Sequence, residues 1–170
     1  PNLFNYGSIN QKLLRKQLGY VGQFPNTFAG TIEDNLRVGE VNYSDQRFSE
    51  VLELTGLSAV LEKIPDGLNF RLSERGRELS GGQRQVLGLA RVLLMDPAIL
   101  LLDEPTSAMD PSLEARFVNQ LYSFSKQKTV VVVTHRKPIL QMLDRILVIE
   151  GGKIVMDGSR DYVLDKFSKS

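Results

Sequence analysis

The chain has 170 residues, which is long enough to bury a hydrophobic core of its own. Its 42% hydrophobic and 24% charged residues are ordinary for a globular domain, and a net charge of +1 creates no field that would attract nucleic acid. The absence of cysteine excludes disulfides and thiolate metal sites, and apolar runs such as residues 129–134 are too short to span a bilayer.

The first third of the chain predicts one strand and two helices. Residues 18–23 predict a short strand that ends in a polar loop at Gln23, and residues 31–36 predict a short helix. Ser44 suits the N-cap of a second helix, and Gly56 is placed to end it.

A loop-rich stretch then leads into a longer helix. Residues 61–79 contain a turn signal, Pro-Asp-Gly, at residues 65–67. Ser80 is predicted to cap a helix that the Asp96-Pro97 pair ends. The apolar face of this helix repeats at helical spacing: Val86, Leu89, Ala90 and Leu93.

The second half of the chain alternates strands with helices. The apolar run at residues 99–102 predicts a strand buried on both faces, and residues 129–134 predict a second buried strand. Between them, Asp110 and Pro111 suit the N-cap and first position of a helix. Its predicted inward residues are Leu113, Phe117, Leu121 and Phe124.

The end of the chain predicts a short helix, a hairpin and a last helix. The helix covers residues 138–143, and two strands at residues 145–149 and 153–156 flank a Glu-Gly-Gly turn. Ser159 can cap a helix that runs through Phe167. Strands that alternate with helices predict an α/β fold with a sheet that is parallel in its middle.

Two acids follow the strand at residues 99–102. Ligands of open α/β sheets bind at the carboxyl ends of the strands. Phosphoryl transfer needs a carboxylate that holds Mg²⁺ and a group that orients the attacking water, roles that suit Asp103 and Glu104 respectively. The alternative is a strand that simply ends in two solvated acids.

Ser80, Gly81 and Gly82 open a predicted helix. A helix N-terminus presents unpaired N–H groups and the positive end of the helix dipole, so it attracts phosphate. The alternative is a serine-capped helix with a glycine turn and no ligand.

Three more polar residues lie near predicted element ends. His135, the only histidine, follows the strand at residues 129–134 and could contact a terminal phosphate. Gln23 could ligate Mg²⁺ through its amide oxygen. The alternatives are a loop histidine, a loop glutamine and, for Asp110, a helix cap.

The order of these segments resembles the nucleotide-binding domain of an ABC transporter. Residues 79–83 match the family's signature sequence letter for letter, and residues 98–105 resemble its Walker B strand. Residues 107–110 are similar to the D-loop, Gln23 to the Q-loop and His135 to the switch histidine. The resemblance implies a P-loop NTPase-like parallel sheet core with a helical signature subdomain.

The resemblance also implies roles in ATP hydrolysis. Glu104 would polarise the attacking water, Asp103 and Gln23 would bind Mg²⁺, and His135 would contact the terminal phosphate. Asp110 would link two ATP sites across a head-to-tail dimer of nucleotide-binding domains. The signature residues Ser80, Gly81, Gly82 and Gln83 would contact the ATP of the second domain.

The resemblance divides the chain into three segments. Residues 1–30 would form the Q-loop region of the core, residues 31–96 the helical subdomain, and residues 97–170 the rest of the core. The phosphate-binding pattern G-x-x-x-x-G-K-[ST] does not occur in this sequence. Because that loop precedes the Q-loop in the family, and because residues 1–9 predict a loop, we expect a fragment that is incomplete at its N-terminus and inactive alone.

Finer similarities indicate an exporter. Residues 28–36 and 73–76 resemble exporter segments, and residues 104–110 and 157–161 resemble bacterial type I protein-secretion ATPases. The implied partners are a transmembrane domain and an exported substrate, at the cytoplasmic face of the inner membrane. The alternative is a non-catalytic module that donates its signature to a complete partner domain.

Overall fold

A computed structural model describes residues 11–38 and 43–168, so the loop expected at residues 1–9 lies outside the described residues. The chain forms two compact units, of which the first ends at Val133 and the second begins at Thr134. The helices of the first unit are α1 (Gln11–Gln17), α2 (Ile32–Leu36), α3 (Asp45–Thr55), α4 (Leu57–Leu61), α5 (Gly81–Leu94) and α6 (Pro111–Ser125). Its strands are β1 (Leu18–Val21), β2 (Gly30–Thr31), β3 (Arg71–Leu72), β4 (Ile99–Asp103) and β5 (Thr129–Val133).

The second unit contains α7 (Lys137–Leu140), β6 (Arg145–Glu150), β7 (Lys153–Ser159) and α8 (Arg160–Ser168). In the described parts of both units, no helix combines the length and the apolar character needed to cross a membrane.

The central sheet of the first unit has the order β1-β4-β5, and both of its strand pairs are parallel. The predicted α/β fold with a parallel sheet is therefore confirmed. Helix α5 packs closely against β1, because a Cβ at Gly19 would lie 2.5 Å from Cγ1 of Val92. Val86, Leu89 and other apolar side chains of α5 are fully buried.

The expected burial of the two central strands is only partly correct. In β4, Leu100 and Leu102 are buried while the alternate residues are half-buried. The prediction of a second buried strand at residues 129–134 is wrong, since Val131 and Val133 are 49% and 61% exposed. Within the described sheet β5 pairs only with β4, so its side chains lack the cover that a second neighbouring strand would give.

The predicted helix caps of the first unit are confirmed. The Ser44 side chain accepts a hydrogen bond from the backbone of Arg47, and Gly56 ends α3 in the left-handed conformation. Asp110 caps α6, with Pro111 as its first residue. These caps follow from local rules that link residue type to backbone geometry.

Several short elements were not predicted. Helix α1 has the sequence QKLLRKQ, in which no apolar face repeats at helical spacing, and α4 covers only five residues. Strands β2 and β3 have two residues each and pair antiparallel. Helix α7 is also shorter than expected, since it ends at Leu140.

The hairpin and last helix of the second unit are confirmed. Gly151 and Gly152 adopt φ values of +53° and +73°, as the turn between β6 and β7 requires. Strand β7 continues to Ser159, three residues beyond its predicted end at residue 156. The Ser159 hydroxyl accepts a hydrogen bond from the backbone N–H of Tyr162 in α8.

Candidate functional site

Two predicted ligands of Mg²⁺ lie on one cleft of the first unit. Asp103 is the last residue of β4, and Gln23 follows the end of the neighbouring strand β1 by two residues. Both residues line a cleft of about 550 Å³ at the carboxyl ends of these strands. This is the edge of a parallel sheet at which α/β proteins bind ligands.

Glu104 occupies a strained backbone position directly after β4. Its φ is +47°, in the left-handed region that residues other than glycine rarely adopt. Its N–H donates to the carbonyl oxygen of Val133 at 2.8 Å, at the end of the adjacent strand β5. Strained residues persist only where the surrounding structure holds them, and they cluster at functional sites.

The turn that follows Glu104 is closed by its own hydrogen bonds. The N–H of Ser107 donates to the carbonyl oxygen of Glu104 at 3.1 Å. The buried hydroxyl of Thr106 donates to Oε1 of Glu114 at 2.7 Å, which anchors the turn to α6. We call residues 104–108 the acidic turn.

The signature sequence begins helix α5 with a capping box. The Ser80 hydroxyl oxygen accepts a hydrogen bond from the Gln83 N–H at 3.2 Å, and Oε1 of Gln83 accepts one from the Ser80 N–H at 2.7 Å. Ser80 and Gly81 are exposed. The structural role of Ser80 as a cap is thus confirmed, and its exposed helix N-terminus is open to an anionic ligand.

Gly82 has a reason to be glycine within the chain itself. A Cβ at Gly82 would lie 2.6 Å from the carbonyl oxygen of Ala108 in the acidic turn, closer than real Cβ contacts allow. A Cβ at Gly81 would lie 3.8 Å from Cβ of Ala108, an ordinary contact. The two glycines therefore differ, because only Gly82 is required by the packing of α5 on the acidic turn.

Asp110 acts as the cap of α6. Its Oδ1 accepts hydrogen bonds from the N–H groups of Ser112 and Leu113 at 2.9 and 3.0 Å, and from the Ser112 hydroxyl at 2.7 Å. The hydrogen bond from the Ser112 side chain is the largest cause that lowers the pKa of Asp110, followed by the bond from the Leu113 backbone. A role between two ATP sites stays a prediction.

His135 belongs to the second unit, while Glu104 belongs to the first. Since β4 and β5 are parallel, Asp103 and Val133 pair in register at the ends of their strands. His135 follows Val133 by two residues and is exposed. Its predicted contact with a terminal phosphate stays a prediction.

The oxygen donors on the cleft fit Mg²⁺. Asp103 offers a carboxylate and Gln23 an amide oxygen, and the part of the chain that the structure describes holds no group of three His, Cys, Asp or Glu residues arranged around one metal position. Mg²⁺ is usually bound by one or two protein oxygens, with waters and substrate phosphates completing its shell. This sparse donor set is therefore the kind that Mg²⁺ shares with a phosphate ligand.

Sequence reasoning missed two polar residues of α5 that hold the loops of the site. The buried carboxamide of Gln85 bonds to the acidic turn. The guanidinium of Arg91 donates to the carbonyl oxygens of Asn26 and Asn35 at 2.8 and 2.6 Å, and to Oδ1 of Asn35 at 3.0 Å. The available signal was Arg91, the one charged residue in the apolar stretch at residues 86–94, whereas Gln85 follows two other polar residues of the helix and offered none.

The fold and these residues define a class of α/β domain that places a carboxylate and an amide on one cleft at the carboxyl ends of two parallel strands. The family model described as "ABC transporter" matches residues 3–107. The chain therefore belongs to the ABC transporter family.

Relatives and a solved structure agree with this assignment. The chain is 36% identical to a putative export ATP-binding/permease protein of Rickettsia bellii, over 92% of this chain and 27% of that protein. It is 38% identical to the glutathione/L-cysteine transport system ATP-binding/permease protein CydC of Escherichia coli, over 92% of this chain and 27% of that protein. Among solved structures it matches a bacterial Atm1-family ABC exporter with ATP bound, with a TM-score of 0.85 and 30% identity, over 93% of this chain and 28% of that one.

This match confirms the P-loop NTPase-like fold of ABC proteins. The chain spans 27% of the length of each of the two relatives named above.

Proposed function

We propose that this chain is part of the ATP-hydrolysing domain of an ABC exporter and that the complete protein couples ATP hydrolysis to transport across a membrane. The observation that carries the proposal is that Gln23 and Asp103 line one cleft at the strand ends, with Glu104 next in the chain. This arrangement supplies oxygen ligands and a carboxylate base at the position where a triphosphate would react.

Each residue at the strand ends has a distinct role in this proposal. Glu104 polarises the attacking water, and its constrained backbone keeps the carboxylate in place. Asp103 and Gln23 hold Mg²⁺, which when bound neutralises charge on the phosphates. His135 contacts the terminal phosphate as a hydrogen-bond donor.

The signature residues act on the ATP of a second nucleotide-binding domain, in a head-to-tail dimer. Ser80 and Gly81 are exposed at the N-terminus of α5, where the helix dipole and unpaired N–H groups favour a phosphate. Accepting the Gln83 N–H uses a lone pair of the Ser80 hydroxyl, so its O–H can still donate to a ligand. Asp110 lies at the start of α6, beside the acidic turn, where it can connect the two sites.

The relatives support a transport role for the complete protein. Several are named export ATP-binding/permease proteins, so their names join ATP binding to a permease. We infer a transmembrane domain partner, an exported substrate and a location at the cytoplasmic face of the inner membrane. A type I secretion role stays a prediction, and the 170-residue chain alone is expected to lack turnover.

The test is Glu104→Gln in the full-length protein that contains these residues. Removing the base should lower ATP turnover to a small residual rate while ATP binding persists, as measured by a coupled ATPase assay and nucleotide titration. Glu62→Gln, an exposed glutamate at the end of α4, is the matched control and should leave turnover unchanged. Full turnover in Glu104→Gln would remove Glu104 from the proposed role.

A further inference from the structure

Gln85 is a buried polar residue that the proposed roles do not use. It lies in the second turn of α5 with 1% of its surface exposed. A buried amide needs partners for its donor and acceptor ends, because an unpaired buried polar group is costly. All partners of Gln85 that follow lie in the acidic turn.

Both ends of the Gln85 carboxamide are engaged. Its Nε2 donates to the carbonyl oxygen of Glu104 at 2.7 Å and to the hydroxyl of Ser107 at 3.2 Å. Its Oε1 accepts from the N–H of Ala108 at 3.1 Å. One side chain of α5 therefore holds the acidic turn at both of its ends.

These bonds constrain the most strained residue of the site. The Glu104 N–H is held by Val133 and its carbonyl oxygen by Gln85, so both peptide groups that flank its φ of +47° are fixed. Such a conformation persists only when its surroundings impose it. Gln85 is therefore an anchor of the Glu104 backbone.

The first turn of α5 also contacts the acidic turn. Gly82 lies three residues before Gln85, on the same side of the helix, and its backbone approaches the carbonyl oxygen of Ala108 without an intervening side chain. The exposed signature residues and the acidic turn thus form one packed body.

We propose that Gln85 is a positioning residue that fixes the backbone of Glu104 and so aims its carboxylate at the attacking water. The proposal rests on the proposed function, since it presumes that Glu104 is the base. Gln85 and Gly82 join α5 to the acidic turn. A ligand that binds the signature residues at the start of α5 therefore binds the same packed body that holds the Glu104 backbone. The helix therefore connects the ATP site of the second domain to the base of this chain's own site.

The test uses two near-isosteric variants of the full-length protein. Gln85→Glu keeps the acceptor for Ala108 but replaces the donor that faces Glu104 with an oxygen, and Gln85→Met removes all three hydrogen bonds at similar volume. We expect kcat for ATP to fall about tenfold to a hundredfold, as small misplacements of catalytic groups do, while KM changes less than about twofold. Gln46→Met on the exposed side of α3 is the control and should leave both unchanged.

A double-variant comparison separates positioning from general damage. If Gln85 acts through Glu104, Gln85→Met should lower the residual rate of Glu104→Gln by less than about twofold. A further tenfold loss in that background would overturn the proposal, as would an unchanged kcat in both single variants. If one variant fails to fold in a thermal melt, the other decides the question.

The outcomes also separate this proposal from the proposed function. Retained turnover in Glu104→Gln contradicts the proposed function, whatever the Gln85 variants do. Lost turnover in Glu104→Gln together with normal kcat in Gln85→Glu and Gln85→Met contradicts only the positioning role.

Discussion

Two loops follow two neighbouring parallel strands, and both rest on helix α5. The acidic turn after β4 meets the helix at Gly82, where the Ala108 carbonyl oxygen approaches the backbone, and is tied by Gln85 three residues later. The loop after β1 repeats this arrangement six residues further along α5, where it contacts Gly88 and bonds to Arg91. On α5, a glycine that contacts a loop is thus followed twice by a polar side chain, three residues later, that bonds to the same loop.

The loop after β1 is held by a charge. A Cβ at Gly88 would lie 2.6 Å from Cγ of Pro25, and the Arg91 guanidinium donates to the carbonyl oxygen of Asn26. The acceptors of Arg91 given above are neutral, and burial lowers its pKa. A half-buried cation whose hydrogen bonds go to neutral oxygens keeps part of its desolvation cost.

The hydrogen bonds of Gln85 and those of Arg91 indicate different roles for the two residues. Gln85 is a neutral amide whose partners include the strained Glu104, so its loss should affect chemistry more than stability. Arg91 joins three segments of the chain through a half-buried charge, so its loss should affect stability more than chemistry. The following predictions test this contrast.

The largest stability effect is expected from Arg91→Met. It removes the Arg91 donor from the carbonyl oxygen of Asn35, a fully buried residue, and leaves its side-chain oxygen with only the Phe28 N–H of its two donors. We expect a loss of about 3 kcal/mol in the free energy of unfolding, measured by urea denaturation of the full-length protein. Arg91→Lys keeps the positive charge but loses the planar guanidinium, so its free energy of unfolding should lie between those of the original chain and Arg91→Met. If Arg91→Met lowers the free energy of unfolding by less than about 0.5 kcal/mol, the Arg91 hydrogen bonds do not stabilise the fold.

A smaller effect is expected where the helix meets the acidic turn. Gly82→Ala places a methyl group against the Ala108 carbonyl oxygen and should cost about 2 kcal/mol, as overpacking does. Gly81→Ala is the matched control, since its methyl group has room, and should change the unfolding free energy by less than about 0.5 kcal/mol. Equal effects of the two variants would contradict the close approach at Gly82.

The smallest effect is expected at Asp96, just beyond the far end of α5. The hydrogen bond from Lys128 is the main cause that lowers the pKa of Asp96, and Arg47 adds to it from α3. Asp96→Asn tolerates the same left-handed backbone, with φ at +50°, but removes the charge. Because Asp96 is 62% exposed, we expect a loss of only about 0.5 kcal/mol at neutral pH, reduced by salt.

The pH dependence of the Asp96 effect has a definite sign. A carboxyl whose pKa is lower in the folded state stabilises the protein above its unfolded pKa of 3.8, and the contribution disappears as the pH falls through the folded value. Unfolding curves of the original chain and Asp96→Asn should therefore converge below pH 3.8. A constant difference down to pH 2 would exclude the ion pairs as its cause.

The sequence predicted those parts of the molecule that depend on local rules. Ser44, Ser80 and Asp110 are caps because short polar side chains satisfy the first N–H groups of a helix. The parallel pairing of the strands followed from their alternation with helices. The place of Asp103 at a strand end followed from the apolar run before it.

The remaining features depend on partners that are distant in the chain. The exposure of Val131 and Val133 depends on which strands flank β5, which no local pattern encodes. Gln85 bonds to residues 19 to 23 positions away, and Arg91 to residues 56 and 65 positions away. Their roles became visible only when the fold brought α5 against the two loops.

In the proposed dimer, the exposed N-terminus of α5 in one domain completes the site of Glu104 in the other. Ser80→Asp keeps a good helix cap but repels phosphate, and Ser80→Asn is its neutral control. The decisive measurement is ATP turnover after mixing full-length Ser80→Asp protein with full-length Glu104→Gln protein, each of which has little turnover alone. A head-to-tail dimer predicts recovery of about a quarter of the original turnover, because half of the dimers are mixed and each then has one intact site of two. No recovery, with mixed dimers present, would contradict the account.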